Sequence, residues 1–277
     1  MRAQALGETR DQHGIYLAEY TIGSALIKEI GRLREFTFRK VGEGTGCKRD
    51  LDRYDKDYSH LTLWHHEKRE IVGAYRFGDA KKLIAARGLQ SLYTASLYQF
   101  SDNAIPYLKQ SLELGRSFVH PDYWGKASLD YLWQGIGAFL RHKPNIRYLI
   151  GPVSMSAEYP INLINELVFY FEHFYKAEER LATAYRPYQL PEPEQKNFLS
   201  TYSEMTREEG LEHLQKSFKE QGHKIPVLFK QYTSLYEEGG IKLLSFSIDP
   251  DFGNCIDGLL MADLTKLKAK KRERYIG

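Results

Sequence analysis

A carboxylate, a guanidinium and a glycine share one short apolar run, Ser111-Leu-Glu-Leu-Gly-Arg-Ser-Phe-Val119, and an ordinary buried strand has no use for them. Side chains alternate between the faces of a strand, so residues three apart should diverge. Glu113 and Arg116 reach a common cleft only if an extra residue kinks the strand, and Gly115 is the residue that permits such a bulge. The run therefore predicts a bulged strand that carries both charges to one site. The plainer alternative is a structural ion pair at a strand end.

Charge also occupies unusual places upstream. Arg34 and Phe38 lie four apart on a predicted helix, Asp52 and Asp55 follow in a polar loop, and Arg76 ends the strand-like run Glu70-Ile-Val-Gly-Ala-Tyr-Arg-Phe77. In order, Arg34-xxx-Phe38, Asp52-xx-Asp55, Gly73-xx-Arg76 and Glu113-xx-Arg116 resemble the signature of acyl-homoserine-lactone synthases, members of the GNAT acyltransferase superfamily. The wider chain looks closer to a sister group, the bacterial N-acyl amino acid synthases and the ornithine- or glycine-lipid N-acyltransferases, often labelled hemolysins. That extended likeness is carried by Leu-Glu-Leu-Gly-Arg-Ser-Phe-Val119, Tyr148-Leu-Ile-Gly-Pro-Val-Ser-Met-Ser156 and Asp249-Pro-Asp-Phe-Gly-Asn-Cys-Ile-Asp-Gly258. It covers most of the chain outside roughly residues 177–222. The resemblance implies an α/β (α+β) GNAT fold, with a central mixed, mostly antiparallel sheet whose middle strands splay apart between flanking helices.

Composition sets outer limits. The 277 residues suffice for one large domain, and one domain spanning the whole chain is the expectation; 42% hydrophobic content suits a sizeable core. No apolar run approaches the ~20 residues that span a bilayer, and the stretch Met-Arg-Ala-Gln-Ala-Leu-Gly-Glu-Thr-Arg10 lacks the apolar segment of a secretory leader, so a cytoplasmic location is expected. Cys47 and Cys255 form no metal-ligand spacing and are expected as free thiols. A net charge of +3 gives no argument for nucleic acid. The tail from Lys266 to the end is the basic exception, suited to an anionic membrane surface, an acidic protein, or simply water.

Periodicity predicts a strand over 15–22, an amphipathic helix over 26–41, a hairpin of strands 61–65 and 70–77, and mixed helix or loop over 79–100. The strand 112–119 then leads through a turn into a helix ending near 141, followed by a buried strand 148–154 and an apolar helix 161–173. Residues 177–224, charged and carrying Pro187, Pro191 and Pro193, read as a surface insertion. A helix over 226–237 and strands 241–248 and 256–264 close the sheet. The stretch Gly42-Glu-Gly-Thr-Gly46 lacks the Lys-Ser or Lys-Thr ending of a phosphate loop and reads as flexible linker.

Acyl transfer to an amine needs an unprotonated nucleophile, a polarised thioester and a route for protons. The resemblance places the pantetheine arm between the strands 112–119 and 148–154. Glu113 then stands beside the thioester, to bind the incoming ammonium or assist its deprotonation. Arg116 would orient Glu113 or hold an amino acid carboxylate. Arg76, Asp52, Asp55 and Arg34 would extend that charged set and Phe38 would join the substrate wall, unless the four charges merely order the loop near the cleft. Ser154 and Ser156 are candidate donors to the thioester carbonyl, and Tyr159, Tyr170 and Tyr175 candidate acids. The amides of Gly125, Lys126 and Ala127, ahead of a helix, are candidates to hold a phosphate. Trp124 stands where users of coenzyme A carry a polar residue, which favours acyl carrier protein as the donor. The Asp249-to-Asn254 turn reads as Asx chemistry rather than a metal site.

The expectation is an enzyme that moves a long acyl or 3-hydroxyacyl chain from acyl carrier protein, less readily from coenzyme A, to the α-amino group of glycine or ornithine. No permanently bound cofactor is implied. A peripheral contact with the inner membrane is a further expectation. The alternatives are an acyl-homoserine-lactone-type signal synthase and a non-catalytic GNAT-like shell that binds a membrane or a protein.

Overall fold

The computed structural model describes residues 3–277; Met1 and Arg2, which begin the stretch read for a leader, lie outside the described residues. The chain opens with β1 (Ala3–Glu8) and β2 (His13–Glu19), an antiparallel pair. Strand β1 is almost wholly exposed, so no apolar alternation announces it in the sequence. Helix α1 (Ala25–Arg39) starts at Ser24, whose hydroxyl accepts from the Ile27 amide, and it buries Ile27, Ile30 and Leu33 at helical spacing. The hairpin β3 (Ser59–His65) and β4 (Glu70–Asp79) follows as expected. The mixed region resolves into α2 (Ala80–Arg87), β5 (Tyr98–Phe100) and α3 (Ile105–Leu108). Then come β6 (Ser111–Val119), α4 (Ser128–Leu140), β7 (Tyr148–Met155) and α5 (Ile161–Tyr175). Beyond these lie β8 (Ala182–Ala184), α6 (Glu192–Tyr202), α7 (Arg207–Glu220), α8 (Val227–Leu235), β9 (Ile241–Asp249), β10 (Cys255–Asp263) and α9 (Ala269–Tyr275).

Eight strands form one sheet in the order β1-β2-β3-β4-β6-β7-β10-β9, antiparallel throughout except where β6 runs parallel to β7. Strand alternation divides the chemistry between the faces. On β3, Leu61 meets α4 at Gly135, while its neighbour His60 turns to Arg34 of α1. The face under α4 is the larger apolar core. The face under α1 packs Ile27, Ile30 and Leu33 against Ile71, Ala74 and Phe118, and it also receives the buried charges.

The segment 177–224 departs from the expected surface insertion. It supplies β8, α6 and α7, and Tyr202, Leu214 and Phe218 are buried in the main core, with α7 against α5. Its helices bury narrow stripes under highly charged outer faces, so their low apolar density hid the packing. The basic tail is likewise docked. Tyr275 is buried, and its hydroxyl and the Arg274 guanidinium reach Asp130 of α4 at 2.7 and 2.5 Å. Among the described residues no helix is long and apolar enough to cross a membrane.

A Cβ on Gly137 of α4 would stand 1.9 Å from the carbonyl oxygen of Tyr275. Backbone cannot move aside as a side-chain tip can. Gly137→Ala should therefore lift α9 from α4 and cost about 1–3 kcal/mol in urea unfolding. An unchanged midpoint would show that the tail is not seated there.

Candidate active site

The pairing of β6 with β7 runs only through Ser111↔Tyr148, Leu112↔Leu149 and Glu113↔Ile150. Beyond that point the strands part. Gly151 sits in the angle, where a Cβ would lie 2.1 Å from the Leu114 carbonyl oxygen. The next residue, Pro152, is tolerated in a central strand because the ladder toward β6 has already opened. On its other edge β6 is bulged: Ala74 faces Phe118 and Arg76 faces Gly115, so Tyr75 alone opposes Arg116 and Ser117. The bulge expected at Gly115 falls on Arg116 itself, whose φ of 50° is left-handed.

A mostly apolar cavity of about 710 Å³ fills the opening. Leu114 to Val119 form one wall, Pro152 and Ser154 the other. Phe38, Tyr159 and Leu228 close it, and the Trp124–Lys126 turn lies at its rim. A second, more polar cavity of about 910 Å³ is lined by Asp50, Asp52, Arg186 and Asp249. Tyr93 and Arg116 line both, and so form the partition between them.

The Arg116 guanidinium is clamped in that partition. It pairs with Asp50 at 2.9 Å, donates to the Tyr93 hydroxyl at 2.9 Å, and lies between the rings of Tyr93 and Phe252 at 4.6 and 4.7 Å from their centroids. Among the described residues no hydrogen bond or ion pair joins it to Glu113, so the expected mutual orientation is replaced by a connection through Tyr93. Glu113 is fully buried. It accepts from the Thr94 amide at 2.7 Å, the Tyr93 amide at 3.2 Å and the Tyr58 hydroxyl. Burial pushes its carboxyl up, and these donors oppose the rise. Among the described residues it lines neither cavity; its contacts fix the turn that carries Tyr93.

Arg34, Asp55 and Arg76 are buried and stand outside both linings. Arg34 pairs with Asp55 at 2.7 Å, and Arg76 pairs with Asp52 at 2.6 Å and Asp55 at 3.3 Å. Asp55 also accepts from the Asp52 amide, so the ion pairs fold the loop after α1 onto the sheet. Asp52 alone of this set reaches a cavity, the polar one. The two arginines hold Asp55 well below the usual carboxylate range, against the effect of burial. His60 completes the group. Its Nδ1 faces Arg34 at 3.2 Å, and since a guanidinium can only donate, the proton sits on Nε2, which donates to the Asp55 carbonyl at 3.0 Å.

Phe38 lines the apolar cavity with its ring edge-on to Phe252. Ser154 and Ser156 both line it, and the Ser156 hydroxyl donates to the Gly42 carbonyl at 3.0 Å. Gly125 and Lys126 reach the cavity wall; Ala127 stands behind them as the cap of α4, with no side-chain bond of its own. The Trp124 indole donates to the Val119 carbonyl. Of the three tyrosines weighed as acids, Tyr159 lines the cavity, and Tyr170 and Tyr175 lie in the core. The glycine-rich stretch is no loose linker: the Thr45 and Gly46 amides and the Thr45 hydroxyl wrap the Glu35 carboxylate at 2.7–3.0 Å.

Sequence reasoning missed Tyr93, Asp50, Glu43 and Asp257. Asp257 could have been found as Glu113 was, as a charge set inside an apolar strand, Cys255–Asp263. Asp249 keeps its Asx turn, accepting from the Asp251 amide at 3.0 Å, and also accepts from the Tyr93 hydroxyl at 3.1 Å.

Two measurements follow from this arrangement. Burial, then Arg34, lowers His60 to about 4 from an ordinary 6.5. The unfolded chain protonates this histidine first, so its contribution is complete above pH 6.5 and is lost as pH falls toward 4, by about 3 kcal/mol. Buried acids with raised values act in the opposite sense, so the readout is the difference between wild type and His60→Gln, which should shrink across that window. Glu113→Gln should turn an amide NH2 toward backbone donors, cost about 1–3 kcal/mol of stability, and loosen Tyr93. Full stability in that variant would show that the carboxylate does not hold the turn.

Residues 33–134 match the family model described as an acetyltransferase (GNAT) domain. Across 96% of its length the chain is 31% identical to a glycine N(alpha)-acyltransferase of Bacteroides thetaiotaomicron, covering 82% of that protein. Across 47% of its length it is 33% identical to an L-ornithine N(alpha)-acyltransferase of Brucella abortus, covering 50% of it. Among solved structures, the loading GNAT-like domain of CurA from Lyngbya majuscula aligns with 91% of this chain and 98% of its own at a TM-score of 0.43 and 13% identity. With nearly its whole length matched to one N-acyltransferase, the chain belongs to the GNAT-family N-acyltransferases and is an enzyme of acyl transfer, which sets aside the binding-shell alternative.

Proposed function

We propose that the enzyme transfers a long acyl chain from phosphopantetheine, carried by acyl carrier protein, to the α-amino group of glycine or ornithine. The observation that carries this reading is the apolar cavity in the parting of β6 and β7, whose lining includes Arg116, Ser154 and Asp257. Backbone groups freed from the ladder there suit a pantetheine arm, and the apolar walls suit a long chain. The amino acid enters from the polar cavity. Arg116 and Arg186 present cations to its carboxylate there, and Asp249 and Asp52 attract its ammonium on the way to the partition, a set that matches an entering zwitterion. Glu113 acts as a positioning residue through Tyr93. Gly125 and Lys126 hold the phosphate at the start of α4, with Ala127 capping the helix. Trp124 gives up its indole N–H to Val119, which leaves the turn a modest anion site, suited to one phosphate.

Of the basic residues near the cavities, Lys48 and Arg49 are exposed beside the polar one, and Arg87 is engaged by Asp57 at 2.6 Å. Lys126 and Lys224 are the lysines in the lining of the apolar cavity among the described residues. They are the pair to meet an acidic carrier.

Incubation with acyl carrier protein charged with a long acyl chain, and separately with acyl-coenzyme A, in the presence of glycine or ornithine should yield an N-acyl amino acid by mass spectrometry. Reversing both lysines to Glu should raise the apparent KM for the carrier roughly tenfold, and added salt should raise it for the wild type. Equal use of acyl-coenzyme A without salt dependence would remove the carrier from the reading. A lactone product, or no acylated amine, would remove the acceptor.

A further inference from the structure

Asp257 stands near the start of β10, between Ser154 of β7 and Ser247 of β9 in the ladder. It is 2% exposed and lines the apolar cavity, and its Oδ1 has no hydrogen-bond partner among the described residues. Burying a carboxylate oxygen without a hydrogen-bond partner costs free energy in the resting protein. Glu43, half-buried just after α1, lines the same cavity nearer its edge. We propose that Asp257 is the base that takes a proton from the acceptor's α-ammonium, with Glu43 as the group that passes it to solvent.

This inference rests on the N-acyl transfer reading above. The ammonium gives one proton to the Asp257 carboxylate, and the freed nitrogen lone pair attacks the thioester carbonyl. The C–N bond forms, the C–S bond breaks, and the second N–H proton leaves with the thiolate as thiol. Asp257 then releases its proton through Glu43, so the products are an amide, a thiol and one proton in solution. Glu113 is ill suited to the same task, with three donors already directed at its oxygens and no place in the cavity wall.

The surroundings poise the pair. Burial pushes Asp257 up to about 7, with the Ser154 hydroxyl and Arg116 opposing the rise and Asp249 adding to it. Burial, then Asp257, pushes Glu43 up to about 8, and Arg116 opposes. The other groups that face Asp257 are Tyr93, Tyr98 and Cys255, all neutral at pH 7. A base titrating near working pH is the efficient choice for proton transfer.

The test compares wild type with Asp257→Asn on glycine and on hydroxylamine, an amine already neutral near pH 7, using the same charged carrier. Wild-type kcat/KM on glycine should rise through about pH 7 and level off. The variant should be roughly 10²-fold slower at pH 7 and keep climbing with pH, because only the minor free-amine form reacts without a base. On hydroxylamine the two proteins should differ by less than about tenfold. Equal losses on both amines would mean a structural role, and an unchanged profile on glycine would exclude the base; either overturns the proposal. If Asp257→Asn does not fold, Glu43→Gln decides, since it should slow glycine turnover and shift the acid limb while sparing hydroxylamine. If wild type acylates neither amine, it is the N-acyl transfer reading that has failed.

Discussion

The burial of the Arg116 guanidinium at the point where β6 leaves β7 is the constraint around which the site is arranged. A side chain other than glycine in the left-handed region carries strain, and a buried cation carries a far larger desolvation cost. Both are offset by what surrounds it: Asp50 at 2.9 Å, the Tyr93 hydroxyl, and two rings stacked on the guanidinium faces. Each partner must itself be held. Asp50 is fixed by its amide on the Gly31 carbonyl, and Tyr93 by Glu113. Glu113 thus reaches the cavities through Tyr93, without lining either of them.

Charge counting separates two populations on this face of the sheet. Arg34, Arg76 and Arg116 are matched by Asp50, Asp52 and Asp55 through short ion pairs, and the three against three leave no net charge. Glu43, Glu113, Asp249 and Asp257 remain as acids whose carboxyls burial pushes up. A buried acid in surplus either keeps its proton or waits for a cation. An ammonium arriving at the partition would be such a cation, and of these acids Glu43, Asp249 and Asp257 stand where the proposed acceptor brings its charge.

Much of this was legible in the chain. Alternation and helical spacing located the central strands and the flanking helices within a few residues, and the charged strand 111–119 marked the break in the sheet. The cluster of Arg34, Asp52, Asp55 and Arg76 was legible as a set but not as a layer. Its residues differ little in type from ones that touch a ligand, and only burial shows that they support the loop. Tyr93 was hidden because its role depends on a turn held by a residue twenty positions away. Residues 177–224 were misread because helices that bury one stripe and expose three charged faces resemble surface loops in composition.

The parting of the strands also explains why proton transfer and acyl binding fall on different elements. Where β6 and β7 separate, their facing edges expose backbone groups but few side chains, which suits a pantetheine arm and leaves little room for an acid or base. The nearest strand that is still fully paired is β10, joined to β7 along its whole length and to β9 on its other edge. A carboxylate on such a strand is held rigidly, as a base must be if its oxygen is to meet one proton in one direction. Asp257 occupies that strand at the level of Ser154, on the wall of the opening. Pairing on both sides of β10 supplies the rigidity that the opened edge of β6 has given up.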